Sequence, residues 1–234
     1  MKSFKENINK QIDSIESGEI FTFKDLMFPY DKFAHVAVIL SQKNKKGELV
    51  RIEKGAYYKP KKSTLGLGSL PVYQDEQLKY LTEKLDGYIT GAYIYNKMGL
   101  TEQVPSVITI ATPKPIRRFN FKKLVIETVR SYIHEPANDD ILLYLRLLDA
   151  IKDIKKIPGR TEQDVYESLK QRYFENYDYP VLNKIVSLAV SYPPRVRKIL
   201  GDILEDMNYT DLQKELSQTI IPTTRFDLHY TRKS

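Results

Sequence analysis

The chain has 234 residues, of which 41% are hydrophobic and 29% charged, and it contains no cysteine. This length suits one large domain or two small ones with an ordinary buried core. The lack of cysteine excludes disulfides, a thiolate nucleophile and a cysteine-ligated metal site. Because the apolar stretches are far shorter than the roughly 20 residues of a membrane span, and the N-terminus lacks an apolar signal core, we expect a soluble, cytoplasmic protein with no membrane partner.

The net charge of +7 is distributed unevenly along the chain. Residues 1–133 carry 22 Lys and Arg against 14 Asp and Glu, whereas residues 134–234 carry 15 against 16. A clustered positive surface is the usual electrostatic signature of a nucleic-acid binder, although a lysine-rich solubilising surface has the same composition. The basic first half is therefore the part in which to look for contacts.

Two short helices are predicted at the start of the chain. Phe4, Ile8, Ile12 and Ile15 recur at helical spacing, and Ser17-Gly18 follows as a stop signal. Thr22 precedes Asp25 by three residues, which is the spacing of a capping box, and Pro29 closes the short helix that follows.

A third helix is predicted from Lys32 to about Lys46, capped by Asp31 and ended by Gly47. Its predicted core face comprises Phe33, Val36, Ala37 and Leu40. Val38 and Ile39 lie outside that face, where they would either touch thymine methyl groups or be buried against the next domain or a second subunit. We favour burial.

From Leu49 the pattern changes to that of strands, with residues 49–52 and 56–60 flanking a turn at 53–55. Three short helices followed by a hairpin, in about 60 residues, predict a winged helix-turn-helix. The third helix would then enter a major groove, and the hairpin would reach the adjoining DNA backbone or the minor groove. A Gly-, Ser- and Pro-rich loop at 61–71 marks the expected end of this domain.

The remaining elements predict an α+β protein, in which the N-terminal winged helix-turn-helix is followed by a mixed α/β domain with a helical C-terminal region. The predicted domains are residues 1–62 and 63–234. Strands are expected at 87–90 and 107–112 and within 118–129, and helices at 75–85, 91–98, 138–152, 161–176, 180–190 and 194–207. The polar stretch from Pro222 is either a loose tail or a docking arm.

Candidate DNA-binding side chains lie on the third helix and on the hairpin, since cations neutralise phosphates and polar side chains read base edges. The hairpin tyrosines alternatively pack the hairpin onto the helices. The candidate set is Lys32, His35, Gln42, Lys45, Lys46, Arg51, Lys54, Tyr57 and Lys59.

A second basic patch surrounds a predicted turn between strands and consists of Lys114, Arg117, Arg118, Lys122 and Lys123. Its ordinary explanation is a solvated sheet edge that lysine and arginine protect from aggregation. The functional alternative is a surface for RNA, a nucleotide or an acidic partner.

Enzymatic patterns are weak in this sequence. No phosphate-binding glycine loop and no His-Glu-x-x-His pair occurs, so we predict no catalytic residues, no metal site and no cofactor. The best alternative is a nucleic-acid-processing enzyme that uses the carboxylates near His134 to Asp140, although Asn138, Asp139 and Asp140 also lie where a helix needs a cap. A third alternative is a winged helix that binds protein instead of DNA.

Two segments resemble the AbiEi-like antitoxins and a related family of uncharacterised bacterial proteins. Residues 45–58 are similar to that family's "K-K-G, strand, R/K-G-x-Y" wing, and the loop at 67–71 follows as it does there. Residues 87–112, with Gly99-Leu100 and Gln103-Val104-Pro105, are similar to its "S-G-A-x-A-x-x-x-L-G-L-x-x-Q-V-P" segment and the strand after it. The resemblance covers residues from about 5 to 130.

The resemblance implies a bacterial, cytoplasmic antitoxin of a type IV toxin–antitoxin system. Its winged helix would act as a transcriptional regulator that binds inverted repeats at its own promoter and represses it. Residues 63–234 would form the AbiEi-like C-terminal antitoxin domain, which counters a nucleotidyltransferase-like toxin without an assumed stable complex. The matching positions are Lys46, Arg51, Lys54, Tyr57, Gly91, Gly99, Gln103 and Pro105. Two features depart from the family: the third helix is more apolar, and residues after 134 match no motif.

Overall fold

The computed structural model describes residues 4–61, 70–133 and 139–232. The protein belongs to the α+β class, as the sequence predicts. The chain divides into two compact units, Met1–Glu83 and Lys84–Ser234. The predicted domain boundary between residues 62 and 63 lies outside the described residues.

The first unit has the order of elements expected of a winged helix. Its three strands form an antiparallel sheet in the order β1-β3-β2, in which β3, the second strand of the hairpin, lies between β1 and β2. In chain order the elements are α1 (Phe4–Ser14), β1 (Ile20–Thr22), 3-10 turns at Phe23–Asp25 and Tyr30–Lys32, α2 (Phe33–Lys45), β2 (Val50–Glu53), β3 (Ala56–Tyr58) and α3 (Gln74–Leu85). The α2 helix occupies the position of a recognition helix.

The predicted capping box at Thr22 is confirmed. The Thr22 hydroxyl accepts the Lys24 N–H at 3.2 Å, and Asp25 Oδ2 accepts the Thr22 N–H at 2.6 Å. The box begins a three-residue 3-10 turn and not the predicted α-helix. The backbone at Leu26 is extended, with a φ of −111° and a ψ of 132°, so the turn ends there.

The start of α2 differs from the prediction, whereas its end agrees. Asp31 does not cap the helix, because it lies within the second 3-10 turn and forms an exposed ion pair with Lys32 at 3.2 Å. The N-cap residue is Lys32, without a side-chain hydrogen bond. At the other end, Gly47 follows the C-cap with a φ of 73°, a conformation that favours glycine and stops a helix.

The core of the first unit confirms two residues of the predicted α2 face and corrects the others. Val36 and Leu40 are buried, whereas Phe33 is half-exposed and Ala37 only partly buried. Ile39 is buried instead. The buried face is therefore rotated slightly from the predicted one, and the core comprises Ile8, Ile12, Phe21, Leu26, Val36, Ile39, Leu40, Leu49 and Tyr57.

The second unit places a four-stranded sheet before a helical region. The strand order is β4-β5-β7-β6, in which β5 and β7 are parallel and the other pairs antiparallel. Its elements are β4 (Tyr88–Thr90), α4 (Ala92–Lys97), β5 (Val107–Thr112), β6 (Arg118–Phe121), β7 (Leu124–Arg130), α5 (Asp139–Lys152), α6 (Glu162–Arg172), a 3-10 turn at Phe174–Asn176, α7 (Tyr179–Ala189), α8 (Pro194–Asp206) and α9 (Thr210–Gln218). Every predicted strand and helix of this region is present, and α9 was not predicted.

Side-chain caps mark the starts of α6 and α7 but not that of α9. Thr161 and Asp164 form a capping box at the start of α6, and the Asp178 carboxylate accepts the Val181 N–H at the start of α7. The α9 helix begins at Tyr209 without a side-chain cap. It follows Asn208, whose φ of 67° ends α8 without a glycine. No recognisable start or stop signal therefore marks α9 in the sequence.

A buried carboxylate on α5 binds two side chains of β4 in the core of the second unit. The Asp149 carboxylate is fully buried and accepts hydrogen bonds from Tyr88 Oη at 2.9 Å, Thr90 Oγ1 at 2.8 Å and Lys152 Nζ at 2.7 Å. Burial raises the pKa of Asp149, and Lys152 opposes that rise. All three donors are fixed to this carboxylate, so the network acts as a structural link between the sheet and the helices.

Among the described residues, no helix combines the length and apolarity needed to cross a membrane.

Candidate nucleic-acid interface

One face of α2 is free of contacts with the core and lies open to solvent. Val38 is 52% exposed at its centre, so its burial against a second subunit stays a prediction. Ile39 is buried in the core of the first unit. The exposed face follows helical spacing and consists of Ala34, His35, Val38, Ser41, Gln42 and Lys45.

The composition of this face suits the floor of a major groove. Ala34 and Ser41 are small enough for the helix to approach base edges closely, and both were missed by the sequence analysis although they follow the same spacing as Val38. Gln42 carries an amide that can bond an adenine through two atoms, and Val38 offers an apolar contact to a thymine methyl. We call residues Ala34, His35, Val38, Ser41, Gln42 and Lys45 the α2 face.

The predicted residues at the two ends of α2 are exposed. Lys32 lies at the N-terminal end in its ion pair with Asp31, and the His35 ring lies 5.3 Å from the ring of Phe4. Lys45 and Lys46 project at the C-terminal end, just before the wing. Cations at both ends of the α2 face place positive charge where phosphates flank a groove.

The two predicted cations of the wing, residues 50–58, are exposed to solvent. Arg51 is exposed on β2, and Lys54 is exposed in the turn that Gly55 completes with a φ of 86°. Arg51 Nε donates to the Glu53 carbonyl at 3.2 Å, which directs the guanidinium along the strand. The backbone N–H of Arg51 donates to Asn44 Oδ1 at 3.0 Å, so the wing is fixed to the end of α2.

Two predicted contact residues have structural roles instead. Tyr57 is only 5% exposed and its ring packs 6.3 Å from that of Phe21, which corrects its assignment as a DNA contact. Lys59 is partly buried and its Nζ donates to the Asp13 carbonyl at 2.8 Å, in the last turn of α1. A cation at that position satisfies a free carbonyl and complements the helix dipole.

All five residues of the second basic patch are exposed, on the loop between β5 and β6 and on the β6–β7 hairpin. Lys114 pairs with Asp86 at 2.7 Å, and Arg117 lies 4.8 Å above the ring of Phe119. Arg118 lies opposite Glu127 in the strand register. Lys122 forms the hairpin turn with a φ of 53°, and Lys123 follows it. The patch is therefore partly neutralised at Lys114.

The alternative enzymatic site remains a prediction. Residues 134–138 lie outside the described residues, and Asp139 is the exposed first residue of α5. Within the described ranges, no three histidine, aspartate or glutamate side chains are grouped to hold a metal ion.

The glycines that carry the second resemblance have backbone roles. Gly91 has a φ of 72°, and a Cβ there would lie 2.8 Å from the Cβ of Thr109. Gly99 has a φ of 69°, and a Cβ there would lie 2.7 Å from Arg172 Nη1. Both positions favour glycine for conformation, and Gly91 also for space, because the atom near Gly99 is the movable tip of an arginine side chain. Gln103 is exposed and Pro105 partly buried in the loop that leads to β5.

A comparison with protein families matches residues 7–175 to a family of unknown function, DUF6088. The chain belongs to this family. The DUF6088 match spans the winged helix, the four-stranded sheet and the first two helices of the helical region, and it stops before α7. No curated protein matches the chain.

Proposed function

We propose that this DUF6088 protein is a DNA-binding transcriptional regulator that contacts duplex DNA through its winged helix. The observation that carries the proposal is the exposed α2 face beside a wing whose Arg51 and Lys54 project into solvent. Small, apolar and amide side chains on the helix, with cations at its ends and on the wing, match what a groove and its two phosphate walls offer.

The proposed binding mode assigns separate tasks to the helix and the wing. The α2 helix enters the major groove, where Gln42 and Ser41 bond base edges and Val38 contacts a methyl group. Arg51 and Lys54 bind phosphates beside the groove, which contributes affinity without sequence preference. The Asn44 bond to Arg51 holds these two contact sets in a fixed relationship.

The finer proposal is that the protein is the antitoxin and autorepressor of a type IV toxin–antitoxin system. Its support is the resemblance of residues 45–58 and 87–112 to AbiEi-like antitoxins. In this proposal the winged helix represses the protein's own promoter at paired half-sites, and the second unit counters a nucleotidyltransferase-like toxin. No direct complex with that toxin is assumed.

A two-part genetic experiment tests this finer proposal. The neighbouring gene is expressed alone and together with this protein, and a reporter is placed behind the protein's own upstream region. We expect growth arrest that the wild-type protein relieves, together with repression of the reporter. The Arg51→Ala, Lys54→Ala double variant should lose repression and still relieve arrest. The antitoxin assignment is contradicted if the neighbouring gene is harmless or its toxicity is unaffected.

A second candidate function, a winged helix that binds protein, is favoured by one observation. Met27 and Tyr30, in the segment before α2, are 87% and 93% exposed. Gln11 fixes this segment, because its amide bonds both the N–H of Met27 at 2.7 Å and the Met27 carbonyl at 3.0 Å. Exposed apolar side chains on a fixed backbone are typical of a protein contact. Partner capture that is insensitive to added duplex would support this alternative over DNA binding.

A further inference from the structure

The chain after α9 forms an extended arm that packs on its own unit. We call residues 224–232 the arm. Exposure alternates along it, with 224, 226, 228 and 230 partly buried and 225, 227, 229 and 231 exposed. Leu228 and Tyr230 pack against the core of the second unit. The sequence left open a loose tail or a docking arm, and the structure shows a docked one.

The arm's backbone is held by a side-chain amide on α6. Gln163 Oε1 accepts the Thr231 N–H at 2.6 Å, and Gln163 Nε2 donates to the Thr231 carbonyl at 3.2 Å. One amide thus satisfies both backbone groups of a single residue, as a neighbouring β-strand would. Glu162, beside it, accepts from the His229 backbone N–H at 3.4 Å and lies 3.0 Å from His229 Nδ1.

A second feature recognises the aromatic ring of the arm. The Tyr230 ring stacks on that of Tyr166 with a centroid separation of 4.4 Å and an interplanar angle of 16°. Its hydroxyl donates to Asp202 Oδ2 at 2.7 Å. The site therefore selects an aromatic side chain that also carries a donor at its tip.

A third feature recognises a cation two residues later. Arg232 bonds Asp206 at 2.9 Å, Glu205 at 2.9 Å and Asp202 at 3.4 Å, all on α8. The side chains of Asp202 and Asp206 are only 3% and 2% exposed. Lys198 already pairs with Asp202 at 2.6 Å and Lys170 with Asp206 at 3.7 Å, and the guanidinium adds several donors in one plane.

We propose that the groove between α6 and α8 binds an extended peptide with a Tyr-x-Arg pattern. The peptide that it binds from another molecule is the arm of a second copy of this chain. The Gln163 amide binds the peptide backbone. The Tyr166 ring and the acidic residues of α8 select the tyrosine and arginine side chains. Alternate side chains of an extended peptide supply such specificity in other recognition modes.

Because every copy of the chain carries the same arm and the same groove, two copies can exchange arms. The arm of another molecule carries the same groups for these contacts, and exchange of an identical element is a low-cost route to a dimer. Within the described residues, the arm forms no backbone–backbone hydrogen bond with α6 or α8, and the Thr224 N–H bonds Ile221 in the preceding segment. The arm can therefore detach without unfolding a strand or a helix.

Two complementary full-length variants test the proposal without DNA. The groove variant, Gln163→Ala with Glu205→Ala, keeps its arm but lacks the amide and one of the carboxylates with which the groove binds an arm. The arm variant, Tyr230→Ala with Arg232→Ala, has an intact groove, but its own arm lacks the two side chains that the groove recognises. Because the chain has no cysteine, Lys184→Cys on the exposed side of α7 takes a single donor or acceptor dye in each variant. Energy transfer is then measured in each like pair and in the mixed pair.

We expect energy transfer in the mixed pair and far less in either like pair. A peptide of residues 223–232 should abolish the signal, whereas the same peptide with Tyr230→Ala and Arg232→Ala should be weaker by about tenfold or more. An Arg225→Ala peptide is the matched control, since Arg225 points outward and forms no ion pair in the described part of the chain. It should compete as well as the native peptide.

Equal energy transfer in all pairs, or none in the mixed pair, overturns the proposal. Both variants must melt as the wild type does. If the arm variant does not, Arg232→Ala alone replaces it, because the Arg232 side chain is 37% exposed and its loss leaves no core cavity. Since the assay contains no DNA, its failure would leave the proposed DNA binding untouched, and failure of DNA binding would leave arm exchange untouched.

Discussion

The side-chain oxygen of Asn44, near the end of α2, accepts the backbone N–H of Arg51 on β2 at 3.0 Å. This hydrogen bond links the two parts of the winged helix that the proposed function assigns to DNA. Arg51 in turn directs its guanidinium along the wing through the Glu53 carbonyl. Asn44 thus positions a residue to which the proposed function assigns a phosphate contact.

Replacing Asn44 with alanine should weaken DNA binding more than it weakens the fold. The bond is exposed, so its loss should lower the free energy of unfolding by only about 0.5–1.5 kcal/mol. DNA affinity should fall further, since the wing is no longer fixed to α2. Asn7→Ala on α1 is the matched control, because Asn7 bonds only its neighbour Gln11 among the described residues. Equal DNA affinities for the two variants, measured by anisotropy, would show that Asn44 does not position the wing.

Removing the wing cations should change the salt dependence of DNA binding. Arg51→Ala and Lys54→Ala should each lower the slope of log affinity against log salt by about one, and weaken binding to all duplexes alike. Lys43→Ala provides the control, because Lys43 is largely buried and already paired with Glu48 at 2.8 Å. An unchanged slope in the wing variants, measured over several salt concentrations, would remove the wing from the interface.

Two neighbouring residues of α2 should separate binding from stability. Val38→Glu places a negative charge on the exposed α2 face and should abolish DNA binding with little change in melting temperature. Ile39→Ala removes a buried side chain and should lower the free energy of unfolding by about 2–5 kcal/mol. The two effects are measured by anisotropy and by chemical denaturation. DNA binding that survives Val38→Glu would be incompatible with insertion of this face.

The buried pair in the second unit predicts a specific pH dependence. Lys152→Met leaves the Asp149 carboxylate buried without its cation and should cost about 3–5 kcal/mol near neutral pH, whereas adding Asp149→Asn should restore part of the loss. Burial alone would lower the pKa of Lys152, but the attraction of Asp149 and Asp153 outweighs it and raises the pKa above 10.5. The contribution of Lys152 is therefore complete below pH 10.5 and lost as the pH rises through its folded pKa.

The stability of the Lys152→Met variant should depend on the ionisation of Asp149 more strongly than the stability of the wild type does. The pKa of Asp149 is already raised above 3.8 by burial, so ionisation destabilises the fold and stability is lost as the pH rises through the folded pKa. Lys152→Met removes the cation that opposes this rise. Denaturation curves of Lys152→Met should thus approach those of the wild type on acidification. A constant difference at every pH would show that the two groups are not coupled.

The sequence reveals features that depend on local chemistry and misses those that depend on packing. The Thr22 capping box and the Gly47 helix end are local, and both are confirmed. The strand Ile20–Thr22 was missed because its three residues are stabilised only by pairing with β3. Phe33 was assigned to the core by hydrophobicity, but its ring instead packs 4.5 Å from that of Phe23 at the edge of the unit.

In the candidate site, too, the features that depend on packing could not be predicted from the sequence. Helical spacing places Ala34, Val38 and Ser41 on one face, but only the structure shows that this face is exposed, since the neighbouring residue 39 is buried. Tyr57 and Tyr58 occupy adjacent positions of a strand, where alternation predicts opposite faces. Both are buried. The sequence alone therefore could not show that Tyr57 is a packing residue.

The most direct test of DNA recognition is a fluorescence-anisotropy titration of the full-length protein against duplex from its own upstream region and against a scrambled duplex of equal length, at two salt concentrations. The account predicts a preference of about a thousandfold or more for the native duplex, with affinity that falls steeply as salt rises. Equal, weak binding to both duplexes would contradict it and would leave only a generic basic surface.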